Sequence, residues 1–396
     1  MITPACILTN SEDDGDNNAT GGDSAAGGNG PTSGGGASSG GGDVGGSGAS
    51  GGVGGSGGGS PGAITQQVLT NPCSTQLGVT AYGIYAASDT DVWLACGSGA
   101  GGIFRSTDGG QSWSGTTFDG GNSERFWDIE GDGDGNVLLC GNVNLSGSND
   151  PLLIRYVTGS DSYETILTTA DLLALGGTGF ANCHNVAVFG QTIVVDDTAG
   201  TQFAVSEDNG ASWSKYDAGQ IWDMRASSDG IIGIGGTTAS GPDFFGAPTS
   251  SLSDVNGTDV PDPNDNMQEG RGIGETASGT IAIAGAFDTP SVGDPYLGGW
   301  FLYSSDRGAT WEAASVDGPE IISFIEGIDC TGDTCFAAGR TYPSDDGLVY
   351  VSTDGAKSWS RLALDGGTLS PFYSVEVTAN RAFIAGDGGD LLVLSF

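Results

Sequence analysis

Beyond residue 62 the chain repeats one arrangement of hydrophobic and polar positions. Short apolar, β-favouring runs alternate with turns rich in Gly, Asp, Asn and Ser, which predicts strands rather than helices. The runs group in fours: 82–87, 92–96, 103–106 and 113–118 make the first unit, and 126–130, 137–140, 152–157 and 163–167 the second. The third has 184–189, 192–195, 202–206 and 213–216, and the fourth 221–226, 231–234, 244–247 and 250–255. The fifth has 271–275, 280–284, 300–304 and 311–316, and the sixth 321–328, 335–338, 348–352 and 359–364. A seventh, 372–378, 381–385 and 391–394, is one strand short when the sequence reaches Phe396. An isolated alternating stretch at 63–69 precedes the first unit and is expected to fill the vacant place, sealing a ring and removing an open edge.

Four units carry the pattern S-x-D-x-G-x-x-W at an outer turn. The copies run Ser106 to Trp113, Ser206 to Trp213, Ser304 to Trp311 and Ser352 to Trp359, with Asp108, Asp208, Asp306 and Asp354 at the third position. Successive aspartates are 100, 98 and 48 residues apart, multiples of a repeat of about 49, a length typical of repeated supersecondary units. The Asp and Ser side chains suit hydrogen bonds to turn backbone. The glycine admits a positive φ, and the Trp lays an apolar face over the turn. The fourth copy has Ala356 in place of the glycine, so its turn is expected to be distorted.

These motifs resemble the Asp-box, or BNR, repeats of sialidases, sortilin-type propellers and photosystem-assembly-factor-like propellers. The resemblance covers residues 63–396 and implies an all-β, seven-bladed β-propeller. It also implies that the boxes, with Trp113, Trp213, Trp311 and Trp359, are structural features of the outer rim. It does not extend to sialidase activity: there is no Arg-Ile-Pro motif, and Arg105 and Arg307 lie beside or inside boxes. Xyloglucanase-like enzymes use two seven-bladed halves, and this chain has one.

Charge narrows the functional classes. The 396 residues hold 49 Asp and Glu against 11 Lys and Arg, a net charge of −38. Nucleic acid and anionic membrane surfaces repel such a chain. Residues 7–18 are acidic and polar, and 20–62 are dominated by Gly, Ser and Ala. A segment of that composition buries no core and reads as a disordered tether spanning about 40 Å. Met1-Ile-Thr-Pro-Ala5-Cys6 is similar to the tail of a lipoprotein signal, with Thr3 where Leu is usual. The expectation is a start assigned too late and an acylated Cys6, the lipid being the chain's route to a membrane. The alternative is an ordinary disordered N-terminus.

Seven cysteines are present. Cys330 and Cys335 flank a hairpin turn and suit a disulfide, a feature of extracellular propellers that this chain resembles. Strand positions favour Cys73–Cys96 and Cys140–Cys183, with Cys96–Cys140 as the alternative. Disulfides imply an oxidising, extracytoplasmic compartment.

Candidate chemistry gathers on the first strands, which line the channel of a propeller. Aligned on the second strands, one position carries Gly83, Trp127, His184, Trp222, Arg271 and Tyr373, with Asp128, Asn185 and Asp223 beside it. Aromatic faces beside acids suit sugars or cations. The competing reading packs Trp127, Trp222 and Tyr373 between blades, since they share parity with Ile129, Met224 and Val375. Loops after the second strands carry Asp196, Asp197, Asp288 and Asp387, and a pair of them would suit glycoside hydrolysis. Asp132-Gly-Asp134-Gly-Asn136 resembles half of a calcium loop but lacks the downstream Glu, so a plain turn is expected. His184, the single histidine, reads as a channel-lining or packed residue rather than a metal ligand, and no cofactor is expected. The leading reading is a monomeric, non-enzymatic binding module for a glycan or protein. A hydrolase and a pure scaffold are the competing classes.

Overall fold

The computed structural model describes residues 63–97, 101–117, 125–142, 151–176, 183–197, 202–217, 220–237, 241–248, 258–261, 267–287, 299–317, 322–341, 344–365 and 367–396. The expected tether of residues 1–62, with Cys6, and Asp288 lie outside these residues.

Among the described residues the strands form seven sheets in chain order, antiparallel throughout but for one short parallel edge strand on the sixth. Sheet one holds Thr80–Ala86, Val92–Gly97, Gly102–Ser106 and Ser114–Thr117; sheet two holds Arg125–Gly131, Val137–Asn142, Pro151–Val157 and Ser162–Leu167. Sheet three holds Cys183–Phe189, Thr192–Asp197, Gln202–Ser206 and Ser214–Asp217; sheet four holds Ile221–Ser227, Gly230–Thr237, Gly241–Pro248 and Thr258–Asp259. Sheet five holds Met267–Glu275, Ile281–Phe287, Trp300–Ser304 and Glu312–Ala313; sheet six holds Ile322–Thr331, Thr334–Thr341, Gly347–Ser352 and Ser358–Arg361. In sheet seven Phe372–Val377, Arg381–Gly386 and Asp390–Ser395 are joined by Thr65–Thr70, which pairs antiparallel with Asp390–Ser395. Each first strand touches the first strand of the next sheet, and the first strand of sheet seven touches that of sheet one. The sheets therefore stand around an axis lined by their first strands.

The second strands explain why such thin sheets hold together. In Val92–Gly97, Val92, Leu94 and Cys96 pack against sheet seven with Phe383 and Leu391, while Trp93 and Ala95 pack against sheet two with Phe126 and Leu139. Both faces are covered, so the strand is apolar throughout and side chains of either parity leave water. The same division recurs at every junction, and seven apolar clusters fill the seven gaps among the described residues.

Several expectations change in detail. The predicted strand 311–316 is split: Glu312–Ala313 stays in sheet five, and Ser315–Asp317 runs parallel to Ser358–Arg361 of sheet six. The Ala314 N–H donates to the Phe301 carbonyl, and the Ser315 N–H donates to Lys357 of the neighbouring sheet, so the chain crosses between edges there. The third strand of sheet four is Gly241–Pro248, longer than foreseen, while the expected 250–255 strand lies outside the described residues. A short helix, Thr169–Ala174, was not anticipated; Thr168 and Asp171 cap it reciprocally.

The four boxes share one bonding scheme. Ser106 Oγ donates to Asp108 Oδ1 at 2.8 Å and accepts from the Gly110 N–H at 2.7 Å, and Asp108 accepts both the N–H and hydroxyl of Ser112. Equivalent bonds recur around Asp208, Asp306 and Asp354. The fourth turn is not distorted: Ala356 adopts φ +66° and its N–H reaches Ser352 Oγ at 3.0 Å. Box tryptophans wedge against the preceding sheet. Trp213 Nε1 donates to the Ile166 carbonyl, Trp311 meets Phe244 edge-on at 5.3 Å, and Trp359 lies 4.8 Å from Phe301.

Disulfides join Cys73–Cys96, Cys140–Cys183 and Cys330–Cys335, as strand positions suggested. They point to an oxidising compartment. Among the described residues no helix is long and apolar enough to cross a membrane.

Candidate functional site: a belt of bulged residues at the channel mouth

Every first strand carries a β-bulge near the same level. The pairing slips between Ala81 and Gly83, Phe126 and Asp128, Cys183 and Val186, Ile221 and Asp223, Gly270 and Gly272, Ile325 and Gly327, and Phe372 and Ser374. A bulge adds one residue that its partner strand does not match and re-aims that side chain. The added residues are Tyr82, Trp127, Trp222, Arg271, Glu326 and Tyr373, with His184 and Asn185 together facing Asp196 in sheet three. Glycines opposite make room. A Cβ on Gly141, Gly285 or Gly339 would collide with a first-strand carbonyl oxygen, and one on Gly235 or Gly386 with the carbonyl oxygen of the residue just before the first strand, Gln220 or Pro371. Sheet three has Asp196 at that place, and its carboxylate accepts the backbone and side-chain N–H of Asn185 at 2.6 and 3.0 Å.

The re-aimed side chains form a closed belt. Ring centres are 4.7 Å apart for Tyr82 and Trp127, 5.4 Å for Trp127 and His184, and 5.9 Å for His184 and Trp222. The Arg271 guanidinium lies 4.5 Å from the Trp222 ring and 3.1 Å from Glu326, which meets Arg340 at 3.3 Å. Arg340 lies 5.9 Å from the Tyr373 ring, and Tyr373 returns to Tyr82 at 5.7 Å. The belt surrounds an open cavity of about 200 Å³ whose lining reaches down to Arg225.

Below the belt the channel is ionic. Arg225 lies 3.2 Å from Glu376, 3.8 Å from Asp329 and 3.9 Å from Asp223, and donates to the Val375 carbonyl at 2.9 Å. Three aspartates tie neighbouring sheets together by accepting a backbone N–H across the junction: Asp128 from Val186 at 2.9 Å, Asp223 from Ile273 at 3.0 Å and Asp329 from Val377 at 2.5 Å. Burial pushes the Asp128 carboxyl up to about 7 against the pull of those N–H groups. Burial and then Asp128 push Glu130 up to about 7, and burial raises Asp223 to about 6 although Arg225 opposes it. Asp329 and Glu376 are raised too, chiefly by burial. Burial, and then Arg271, hold His184 down to about 4, so its ring is neutral at ordinary pH. Water reaching the channel tempers these shifts, since Asp223 keeps 15% of its side chain exposed.

The structure thus brings eight of the sequence candidates into one cavity: Trp127, Asp128, His184, Asn185, Trp222, Asp223, Arg271 and Tyr373. Shared parity did not place Trp127, Trp222 and Tyr373 in the sheet interfaces, because the bulge turns each one out of the alternation. Gly83 is corrected by one residue; Tyr82 holds that position in sheet one. Tyr82, Glu326, Arg225 and Arg340 were not picked out. Tyr82 and Glu326 carry the same mark as the other belt positions, an Ile, Val or Met two residues on, here Ile84 and Ile328; Arg225 and Arg340, followed there by Ser227 and Tyr342, carry none. Among the loop acids, Asp196 is buried against Asn185, and Asp387 accepts from the hydroxyls of Thr80 and Tyr373. Asp197 ends its strand opposite Cys183. Asp132 is a turn residue, accepting from the N–H groups of Asp134 and Asn136 and meeting Arg155 at 3.1 Å.

Solved structures provide the comparison. YCF48 from Cyanidioschyzon merolae superposes with a TM-score of 0.58 at 18% identity, over 84% of this chain and 99% of that one. The structure titled "YCF48 bound to D1 peptide" gives 0.58 at 16%, over 84% and 97%. Virginiamycin B lyase from Staphylococcus aureus gives 0.59 at 10%, over 84% and 99%. The fold is a β-propeller. These identities carry the fold and nothing more. No family model and no curated protein sequence matches the chain.

Proposed function

We propose that the chain is an extracytoplasmic binding module: a seven-bladed, Asp-box type propeller sealed by Thr65–Thr70 and presenting its channel mouth to a protein or glycan. The supporting observation is the convergence of bulged residues from all seven first strands on one open cavity. A ring needs no bulged aromatic belt to close, because the apolar clusters already fill its junctions. Trp127 Nε1 is buried without a hydrogen-bond partner, a donor suited to a sugar hydroxyl or a peptide carbonyl. The disulfides favour an oxidising compartment, and the N-terminal tether with an acylated Cys6 would hold the head off a membrane. The peptide in one YCF48 structure makes a protein ligand the first choice.

Glycoside hydrolysis is the weaker reading, because Asp196 and Asp387 are spent on hydrogen bonds within the fold. Glycan and peptide arrays probed with the full chain test the proposal. Binding without product release, lost in Trp127→Ala and Trp222→Ala variants that keep the parent melting temperature, is the expected result. Turnover abolished by Asp197→Ala or Asp288→Ala would overturn it in favour of the enzyme.

A further inference from the structure

The belt and the acids beneath it share a preference. Aromatic faces carry negative electrostatic potential and attract cations, and this belt already seats guanidinium groups on its rings. Arg125 lies 5.6 Å from the Trp127 centre, Arg271 4.5 Å from Trp222 and Arg340 5.9 Å from Tyr373. Beneath them the carboxyl groups of Asp128, Glu130, Asp223, Asp329 and Glu376 act on a single guanidinium, Arg225. A metal ion is a poor fit. Among the described residues no set of three or more His, Cys, Asp or Glu side chains is placed to hold one, and three of these aspartates spend an oxygen on a neighbouring sheet. A compact organic cation fits both layers, its carbons against the rings and its charge above the acids.

We propose that the channel mouth binds an alkylammonium group, seated against Tyr82, Trp127 and Trp222 with Asp128 and Asp223 below it. The inference rests on the mouth being the ligand site and adds the chemistry of the ligand. A cavity of about 200 Å³ holds one head group, with its alkyl chain leading outward. Both a lysine side chain and a choline head group supply such a group.

The test uses the full chain and tryptophan fluorescence, with calorimetry as a second readout. Choline is titrated beside 3,3-dimethylbutanol, which has the same shape with carbon in place of the charged nitrogen, and beside Nα-acetyl-lysine methylamide. At least one ammonium compound is expected to saturate the signal, with the neutral alcohol about tenfold weaker or more. Stronger binding of choline assigns a quaternary head group, and stronger binding of the lysine compound assigns a protein side chain. Trp127→Leu and Trp222→Leu should each weaken binding about tenfold at an unchanged melting temperature; Trp222→Phe, which keeps a ring, should retain most of it and serves if the leucine variants do not fold. Equal responses to charged and neutral probes, or binding indifferent to the tryptophan variants, would overturn the proposal. An array sugar or neutral peptide that binds through Trp127 and Trp222 while no ammonium compound does would refute the ammonium assignment and leave the mouth as the site. Silence from every probe and both arrays would remove both.

Discussion

The channel carboxylates make stability depend on pH, and Glu130→Gln isolates one of them. Glu130 lies on Arg125–Gly131 and accepts the Gly131 N–H at 2.9 Å, with burial and Asp128 raising its pKa from 4.5 to about 7. Below pH 4.5 both folded and unfolded chains hold the proton, and the group costs nothing. Between 4.5 and 7 the unfolded chain releases a proton that the folded chain retains, so stability falls as pH rises. The loss approaches ~1.4 kcal/mol per unit, or about 3 kcal/mol over the window before channel water reduces it. Glutamine mimics the protonated carboxyl and removes the loss. Denaturant unfolding of wild type and variant should therefore agree near pH 4.5, while at pH 8 the variant should be more stable by about 2 kcal/mol, with the denaturant slope unchanged. A variant that is less stable at pH 8, or equally altered at both pH values, would refute the claim that Glu130 titrates inside the channel.

Other expectations address the frame around the site. Deleting 63–70 removes the strand paired with Asp390–Ser395 and should lower the melting temperature far more than deleting 7–60; equal melting points would defeat the sealing role. Gly110→Ala puts an alanine in the first box at φ +91°, where its Cβ would press on Leu391 and Leu69, and should cost about 1–2 kcal/mol in thermal unfolding. Replacing both Cys140 and Cys183 with Ala opens a tie across 43 residues and should cost about 2–4 kcal/mol by denaturant titration.

The parts legible in the sequence were those set by local chemistry or by counting. Box turns are built by Ser, Asp and Ser or Thr side chains bonding backbone within a few residues, so the motif and its bonds coincide. The pairing of Cys140 with Cys183 was favoured over Cys96–Cys140, because Cys140 ends one strand and Cys183 opens another at known places in their units, and the disulfide joins that pair. The belt was only partly legible, because alternation assumes an unbroken ladder. One extra residue at Trp127 reverses the face that parity assigns; Gly83 stands in for Tyr82 when Cys96 is levelled with Cys140, whereas the register sets Cys96 level with Gly141. The glycines at 141, 235, 285, 339 and 386 were visible as strand ends, but their cause is steric and lies in or just before the neighbouring strand. Arg225 reaches Glu376 across 151 residues of sequence, a partnership that no local pattern encodes.

The central claim is that ligand chemistry belongs to the bulged belt while the boxes only build the rim. Indole-labelled nuclear magnetic resonance of the full chain tests it directly, since the protein has eight tryptophans that report separately. Titration with a ligand found on the arrays should shift the Trp127 and Trp222 indole signals and leave those of Trp113, Trp213, Trp311 and Trp359 in place. Shifts confined to the box tryptophans, with Trp127 and Trp222 unmoved, would contradict the account.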